Sequence, residues 1–469
     1  MVDFLGILIS ALPFAVAAVM LTGLGWSGTR AGGASLATAV LGAVVWPELE
    51  ASAVPGALLA GLGTSAQVLY VLFGGLLLYN LLSAGGAVAA VSRFLGRLEP
   101  DRVALAAGIV VGVAPFFESV TGFGVAVVIS APILLAAGFT PLRAAVLASW
   151  GQCAVPWGAL GVGTVIGANL AGMGFETLSD LSALLSIPLF PVYGVAAVAV
   201  AGGWAGVRRR GAESIVLGLV AGAGTLLTSL YLVPEFSGAV GGLAATAVFV
   251  ARRRNRLAGV PLRALLPYAF LLLLLGAANG IGALRSLFEK LGPVFDGPGL
   301  PLLVSGAFAA LLLDLGGDEI GAATQRTATQ WLPTAGAVFT FVLAGEVVAK
   351  GGAAGLLAEG AEALGVLFPA VSPVLAALGG ALTGSNAASN ALFMPLQIEA
   401  ARGLGVSEVL TAAVQNVAGS HASMLAPQRM VLAATATGLL GREGEILRAS
   451  AAPVAVSIGM LAILGMLLA

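Results

Sequence analysis

The sequence predicts an all-α polytopic membrane protein with two inverted repeats, each holding a re-entrant helical hairpin and a discontinuous transmembrane helix. Of the 469 residues, 59% are apolar and only 9% are charged, and the mean hydropathy of +1.04 lies far above that of soluble domains. Apolar stretches of spanning length recur along the chain. Two shorter pairs of apolar stretches enclose the polar tips "ESVTGFG" (118–124) and "GSNAASN" (384–390).

Ten apolar stretches are close to the roughly 20 residues that a spanning helix needs. No basic cluster precedes the first stretch, which follows Asp3, so we expect a retained span rather than a cleaved signal. The candidates are 4–22, 31–46, 63–84, 186–203, 214–233, 236–251, 265–283, 298–315, 331–349 and 449–468.

The interrupted stretches predict two hairpins. Residues 103–117 and 125–138 flank the first tip, and 369–383 and 391–403 flank the second. At 1.5 Å per residue each arm reaches only about 20 Å, short of the roughly 30 Å hydrocarbon core. Polar backbone at that depth is tolerated only in protein or at a water-filled cavity. We therefore expect both tips to face one wet cavity.

A broken span follows each hairpin. Residues 141–171 are interrupted at "GQCAVPWG" (151–158), and residues 408–437 at "AGSHASMLAP" (418–427). Pro156 and Pro427 cannot donate a backbone hydrogen bond, which favours a helix break at each place.

The order span, surface helix, hairpin and broken span occurs twice, with amphipathic surface helices starting near Gly85 and Gly351. Counting spans between the basic clusters at 208–210 and 252–256, both taken as cytoplasmic, puts the second hairpin on the face opposite the first. Opposite entry makes an inverted repeat, typical of secondary transporters with one midplane site. The count also admits two full spans over 103–138; short arms and polar tips favour the hairpin.

The second tip suits a small polar anion. Ser385, Asn386, Ser389 and Asn390 supply hydroxyl and amide donors where a new half-helix presents its positive end. The alternative is that these side chains only cap the hairpin and pack against neighbouring helices. Thr121 and Gly122 of the first tip and Gln152 of the first break complete the candidate substrate site.

Three ionisable residues are candidates for coupling or charge pairing. Glu118 opens the first tip inside an uncharged run, so we expect a proton carrier, or alternatively a salt bridge that fixes the tip. Arg429 follows the second break, where it either holds a substrate carboxylate, neutralises Glu118 or reaches to a membrane interface. His421 in the second break titrates near neutral pH or has a packing role.

The composition also predicts what the protein lacks. One cysteine, Cys153, and one histidine leave no disulfide framework and no metal cluster, and we see no nucleophile–base pair. We therefore expect no enzyme and no cofactor. No Gly-x-x-x-x-Gly-Lys-Ser/Thr loop is present, and we interpret the arginine clusters as topology signals rather than nucleic-acid patches.

Three stretches resemble the bacterial L-lactate permease family, which includes glycolate permeases. They are "PFFESVTGFGVAVVISAPILLAAGF" (115–139), "GSNAASNALFMPLQIEAARGLGVS" (384–407) and "MLAPQRMVLAATATGLLGREGEILR" (424–448). The resemblance implies a multi-pass importer of small 2-hydroxy monocarboxylates in the bacterial cytoplasmic membrane, working by proton symport. It also implies kinship with the ion transporter superfamily, whose members move two hairpins as a transport domain and dimerise through a scaffold.

The chain departs from the family pattern at two places. Ser119, Val120 and Thr121 replace the small residues of a Glu-Gly-Ala-Ala-Gly-Phe-Gly tip. Ser423 stands where the family commonly has a lysine, and Arg429 where it has an uncharged residue. We interpret the second departure as a cation moved by six positions, which leaves the carried anion open.

These observations favour an elevator-type lactate or 2-hydroxy monocarboxylate symporter, expected as a homodimer in the lipid bilayer with H⁺ as coupling ion. A sodium-coupled transporter of another small organic anion and a passive anion channel are the alternatives. We assign the scaffold to 1–84 and 173–350, the transport domain to 85–172 and 351–438, and a final span to 439–469.

Overall fold

The computed structural model describes residues 4–122, 124–253, 255, 259–282, 284, 286, 290 and 297–469. Across these residues the chain forms helices and no strand, as the sequence predicts. The helices are α1 (Phe4–Ala18), α2 (Gly28–Val45), α3 (Val54–Ala84), α4 (Ala87–Leu98), α5 (Arg102–Gly108), α6 (Ala114–Thr121), α7 (Val125–Ala136), α8 (Pro141–Trp150), α9 (Gly158–Ala171), α10 (Phe175–Ser186), α11 (Leu189–Tyr231), α12 (Ser237–Ala251), α13 (Leu262–Gly280), α14 (Gly299–Leu312), α15 (Gly317–Lys350), α16 (Ala353–Glu362), α17 (Phe368–Thr383), α18 (Asn386–Leu404), α19 (Glu408–Ser423), α20 (Pro427–Thr437) and α21 (Glu443–Leu468).

Eight helices in this described part are long and apolar enough to cross a membrane, or nine if the bent pair α8–α9 counts as one span. The protein is therefore a multi-pass membrane protein. α3 and α15 begin well before the predicted spans 63–84 and 331–349. In α15 the extension starts with Asp318 and Glu319, whose charges favour the positive end of a helix.

The first hairpin has a longer first arm than predicted. α5 and α6 are joined through a wider turn at Ile109–Val113 into one helical run, Arg102–Thr121, of 20 residues, about 30 Å at 1.5 Å per residue. The predicted arm 103–117 is too short because the helix includes the first tip residues, 118–121. Arm length therefore gives no support for re-entry here, and the re-entrant interpretation stays a prediction. Phe123 of the tip lies outside the described residues.

The second hairpin turns within two residues rather than seven. α17 ends at Thr383 and α18 starts at Asn386, so only Gly384 and Ser385 form the turn. Gly384 has a φ of +63°, a left-handed conformation that favours glycine. The hydroxyl of Ser385 accepts from the backbone N–H of Ala388 at 3.4 Å, which starts the second arm earlier than the predicted 391.

Both predicted helix breaks are present. α8 and the run Val155–Ala171 are bent by 64° across a turn that contains Gln152 and Cys153. The second break is shorter than predicted, because α19 continues to Ser423 and α20 starts at Pro427. The expected position of His421 inside this break is wrong: it lies in the last turn of α19.

The long helix α11 is two antiparallel segments. Gly203 has a φ of +61° and a ψ of −158°, which reverses the chain between them. Beyond the reversal Gly218 packs on Pro191 and Gly222 on Ile187, so small residues let the two segments approach closely. The predicted spans 186–203 and 214–233 correspond to these segments.

The helices pack in two groups. In one, α15 packs along α2 and α3, and α14 lies against α3. In the other, α11 and α12 cover the first arm of hairpin 1, and α19 and α21 cover α17. α18 contacts both α15 and α9, so this arm of the second hairpin connects the two groups. The domain boundaries at 84, 172, 350 and 438 stay a prediction, as does the inverted relation of the repeats.

A charged cluster joins the start of hairpin 1 to α11 and α12. Arg253 is buried, stacks 3.7 Å over the ring of Phe249, and pairs with Glu99 and with Glu213 at 3.1 Å. Arg253, which belongs to the second predicted basic cluster, is thus paired with two carboxylates. Arg254 and Arg256 lie outside the described residues.

Candidate functional site

One cavity of about 740 Å³ receives both hairpin tips. Glu118 and Gly122 line it from the first hairpin, and Gly384, Ser385 and Asn386 from the second. The first break, the start of α20, helices α3 and α15, and the segment 21–28 between α1 and α2 also line it. The packing of the described residues is therefore consistent with the prediction that the two polar tips, which lie far apart in the sequence, share a cavity.

Arg429 connects the elements around this cavity. Its Nε donates to the carbonyl oxygen of Gly384 at 3.2 Å, and Nη1 donates to Glu118 Oε1 at 3.2 Å and to the side-chain oxygen of Gln152. One guanidinium thus touches both tips and the first break, from a helix that begins at the second break. Of the three alternatives for Arg429, pairing with Glu118 is what the structure contains.

The carboxylate of Glu118 is buried, with 1% of the residue exposed, yet it borders the cavity. Besides Arg429 it accepts from the backbone N–H groups of Gly124 at 3.1 Å and Ala126 at 3.3 Å. These N–H groups belong to the first turn of α7, whose positive end favours the negative charge. Glu118 and Arg429 are the only charged side chains among the described residues that line the cavity.

The second tip is held to α20 from the other side. Gln428 donates its side-chain amide to the carbonyl oxygen of Thr383. A Cβ at Gly384 would lie 2.2 Å from that amide nitrogen, so the close approach requires glycine. Together with the Arg429 contact, this fixes the tip against the start of α20.

Asn416 is the centre of a buried amide network. Its Oδ1 accepts from Nδ2 of Asn386 at 2.8 Å and from Nδ2 of Asn390 at 2.9 Å. Its own Nδ2 donates to the hydroxyls of Thr164 and Ser182, both at 3.0 Å. The network therefore joins hairpin 2 to both broken helices and α10.

Ser389 and Asn390 face this network rather than the cavity. Both are fully buried and neither lines the cavity. Ser389 donates to the carbonyl oxygen of Ala376 at 3.2 Å, and Asn390 donates to that of Gly163 at 2.9 Å. Their placement favours a supporting role, whereas Ser385 and Asn386 line the cavity directly.

The remaining candidate residues also divide into those that line the cavity and those that are buried away from it. Gly122 lines the cavity, but Thr121 is buried and donates to the carbonyl oxygen of Phe117 at 2.6 Å. Gln152 is fully buried behind Arg429, with its amide donating to the carbonyl oxygen of Ser149 at 3.2 Å. His421 does not line the cavity; its Nδ1 lies 3.1 Å from the hydroxyl of Tyr193.

The first break contributes unusual backbone to the cavity wall. Ala159, Leu160 and Gly161 have successive φ values of 49°, 57° and 83°, a left-handed run that non-glycine residues rarely adopt. Ala159 lines the cavity and packs against Gly122, where a Cβ would lie 2.8 Å from the Ala159 methyl group. No sequence signal in this stretch predicts the left-handed run.

Sequence reasoning missed two partners in the network, Thr164 and Ser182. Both are single hydroxyl residues in helices, a common residue type there, so no local pattern distinguishes them as network partners. Tyr79 and Gln330 were missed as cavity-lining residues of α3 and α15. Tyr79 could have been found as a polar residue inside an apolar span, whereas Gln330 lies in the polar stretch before the predicted span 331–349 and has no such signal.

The chain is similar to known permeases over most of its length. The family model described as L-lactate permease matches residues 6–258 and 282–469. An L-lactate permease of Streptococcus iniae is 26% identical over 74% of this chain and 80% of its own length. A glycolate permease of Escherichia coli is 25% identical over 81% of this chain and 80% of its own, and an L-lactate permease of Salmonella typhimurium is 28% identical over 71% and 72%. The chain belongs to the L-lactate permease family.

Proposed function

We propose that this protein imports L-lactate or a related small 2-hydroxy monocarboxylate across the bacterial cytoplasmic membrane by proton symport. The names of its relatives, L-lactate permease and glycolate permease, support the substrate class. The observation that carries the proposal is the position of Arg429, which contacts both hairpin tips at a shared cavity.

The substrate carboxylate binds between Arg429 and the start of α18 in this proposal. Within the described part of the chain, Nη2 of Arg429 makes no hydrogen bond, so it is available to an anion beside Nη1. Ser385 adds a hydroxyl, and the N-terminus of α18 adds a positive helix end. An arginine fork is suited to a carboxylate because it offers parallel N–H donors.

Glu118 carries the coupled proton. Protonation removes the negative charge that Arg429 pairs with, and the guanidinium then binds the substrate carboxylate instead. The empty cavity with Glu118 ionised has no net charge, and neither has the cavity loaded with one proton and one monocarboxylate. Loading either ligand alone leaves a net charge, which is costly to move through a bilayer. The two neutral forms are therefore the ones that relocate.

The movement is elevator-like in this proposal. The two hairpins, both broken helices, and the helices packed on them move as one unit past α2, α3, α14 and α15. Support comes from the two packing groups and from the position of the cavity, which residues of both groups line. A homodimer joined through the less mobile group is part of the proposal, and chemical cross-linking in membranes tests it.

Uptake into proteoliposomes tests the function. We expect labelled L-lactate or glycolate to accumulate when a proton gradient, acidic outside, is imposed, with saturation and with acceleration by substrate on the opposite side. Accumulation under a sodium gradient alone would replace the proton with sodium. Flux that neither saturates nor accelerates would indicate a channel, and no uptake of any 2-hydroxy acid would overturn the substrate class.

A further inference from the structure

Asn386 lines the cavity and has a buried hydrogen-bond acceptor with no partner among the described residues. The residue is buried, with 5% exposed, and it lines the cavity at the start of α18. Its Oδ1 is buried without a hydrogen-bond partner among the described residues. A buried acceptor left unpaired costs free energy, so this oxygen is matched by a ligand that brings its own hydrogen-bond donor.

The surrounding network determines which end of this amide faces the cavity. The carbonyl oxygen of Gly163 only accepts, so Asn390 must direct Nδ2 towards it. The second hydrogen of that Nδ2 goes to Asn416, which must therefore present Oδ1. Asn386 meets the same Oδ1 and so uses its Nδ2 there, which leaves its own Oδ1 without a partner among the described residues. A flipped Asn386 would place two oxygens against each other.

The same tip is in contact with Arg429, which has a free donor. Arg429 donates through Nε to Gly384, two residues before Asn386, and its Nη2 is unused in the described part of the chain. A donor for a carboxylate and an acceptor for a hydroxyl, both at one tip, match the two polar groups of a 2-hydroxy acid. A 2-oxo acid or a plain carboxylic acid has no proton to give to Oδ1.

We propose that Asn386 recognises the 2-hydroxyl of the substrate by accepting its hydrogen bond at Oδ1, and that Asn416 is the positioning residue that fixes this orientation. This assignment rests on the proposed function and adds to it the group that separates 2-hydroxy acids from 2-oxo acids. Because the unmatched oxygen stays buried when the hydroxyl is missing, discrimination comes mainly from rejection of the wrong acid.

Competition for labelled L-lactate uptake by the wild-type protein is the first test. The competitors are unlabelled L-lactate, propionate, pyruvate and 2-methoxypropionate, which keep the carboxylate but differ in the 2-substituent. We expect an inhibition constant for L-lactate at least about tenfold lower than for the other three. Equal constants for L-lactate and propionate overturn the assignment alone, whereas no saturable L-lactate uptake overturns the proposed function with it.

The variant Asn386→Ala gives the second test. We expect the ratio of the propionate constant to the L-lactate constant to fall to within about threefold of one, with the propionate constant little changed. The matched control is Gln397→Ala, since Gln397 is buried on the same helix with an unpartnered Oε1 but does not line the cavity. A wild-type ratio in Asn386→Ala overturns the assignment, and the wild-type panel decides if this variant does not fold.

Discussion

Arg429 donates a hydrogen bond to Glu118 at 3.2 Å across 311 residues of sequence, so the two charges of the cavity neutralise each other. Neither side chain is free to the bulk solvent: 11% of the Arg429 side chain and 1% of that of Glu118 are exposed. A buried pair of this kind is costly to break by removing one partner, because the other charge then remains unpaired. The pair is therefore both a structural contact between the first hairpin tip and α20 and the centre of the proposed coupling.

Glu118→Gln is expected to separate transport from coupling. The amide keeps the shape of the side chain but carries no titratable proton, so accumulation of L-lactate under a proton gradient should be lost. Exchange of labelled for unlabelled L-lactate at equal concentrations should remain, since it needs no net proton movement. Glu346→Gln is the control, because Glu346 is buried and paired with Lys350 at 3.1 Å outside the cavity. Proton-driven accumulation by Glu118→Gln would remove Glu118 from the coupling role.

Arg429→Gln is expected to abolish L-lactate binding and to destabilise the protein. Loss of the cation leaves Glu118 buried and unpaired, at a cost of about 3–5 kcal/mol. The double variant Glu118→Gln with Arg429→Gln removes both charges and should recover most of the thermal stability in detergent without recovering transport. A double variant that transports L-lactate would show that Arg429 does not bind the substrate.

Gly163→Ala is expected to weaken substrate binding through Asn386. A Cβ at this position would lie 2.6 Å from Nδ2 of Asn386 and 2.8 Å from its Cβ. Such overpacking costs about 1–3 kcal/mol of stability, and if Asn386 is displaced we expect the L-lactate Kd to rise roughly tenfold through loss of one hydrogen bond. Gly63→Ala serves as control, since no atom lies within 4 Å of a Cβ built there. Unchanged L-lactate affinity in Gly163→Ala would contradict the role of this contact.

Arg253→Met is expected to destabilise the protein far more than Arg252→Met. Only 7% of the Arg253 side chain is exposed and it pairs with Glu99 and Glu213, whereas 52% of the Arg252 side chain is exposed and its contact with Glu213 is 3.9 Å long. We expect a loss of about 3–5 kcal/mol for the first and about 0–1 kcal/mol for the second. Thermal unfolding in detergent measures the difference, and equal losses would refute it.

The sequence predicts the helical class and most span positions because hydropathy alone determines them. The limits of the hairpins are less well predicted, since polar residues such as Ser119 and Asn390 suggest an interruption in helices that in fact contain them. A buried polar side chain disrupts a helix only if it competes for backbone hydrogen bonds. Here Asn390 bonds to α9 and α19, and Ser119 is buried with no hydrogen-bond partner among the described residues; the local sequence reveals neither environment.

The residues of the candidate site are also only partly predictable from the sequence. Glu118, Asn386 and Arg429 are visible in the sequence because charge or clustered amides are rare in apolar segments. Which of the four polar residues at 385–390 faces the cavity depends on the rotation of α18 against α9, a tertiary property. Gly163 and Gly167 determine that rotation, because Asn386 packs where a Cβ of Gly163 would lie and Asn390 packs where a Cβ of Gly167 would lie.

The separation of Glu118 from its partner also matters during synthesis. At roughly 5–20 residues per second, the 311 residues between them take roughly 15–60 s to translate. Throughout that interval the nascent chain holds a carboxylate whose cation has not yet left the ribosome. Glu118 of the first hairpin is therefore paired only after the second hairpin has been made. Until then the first half of the protein lies in the membrane without this contact.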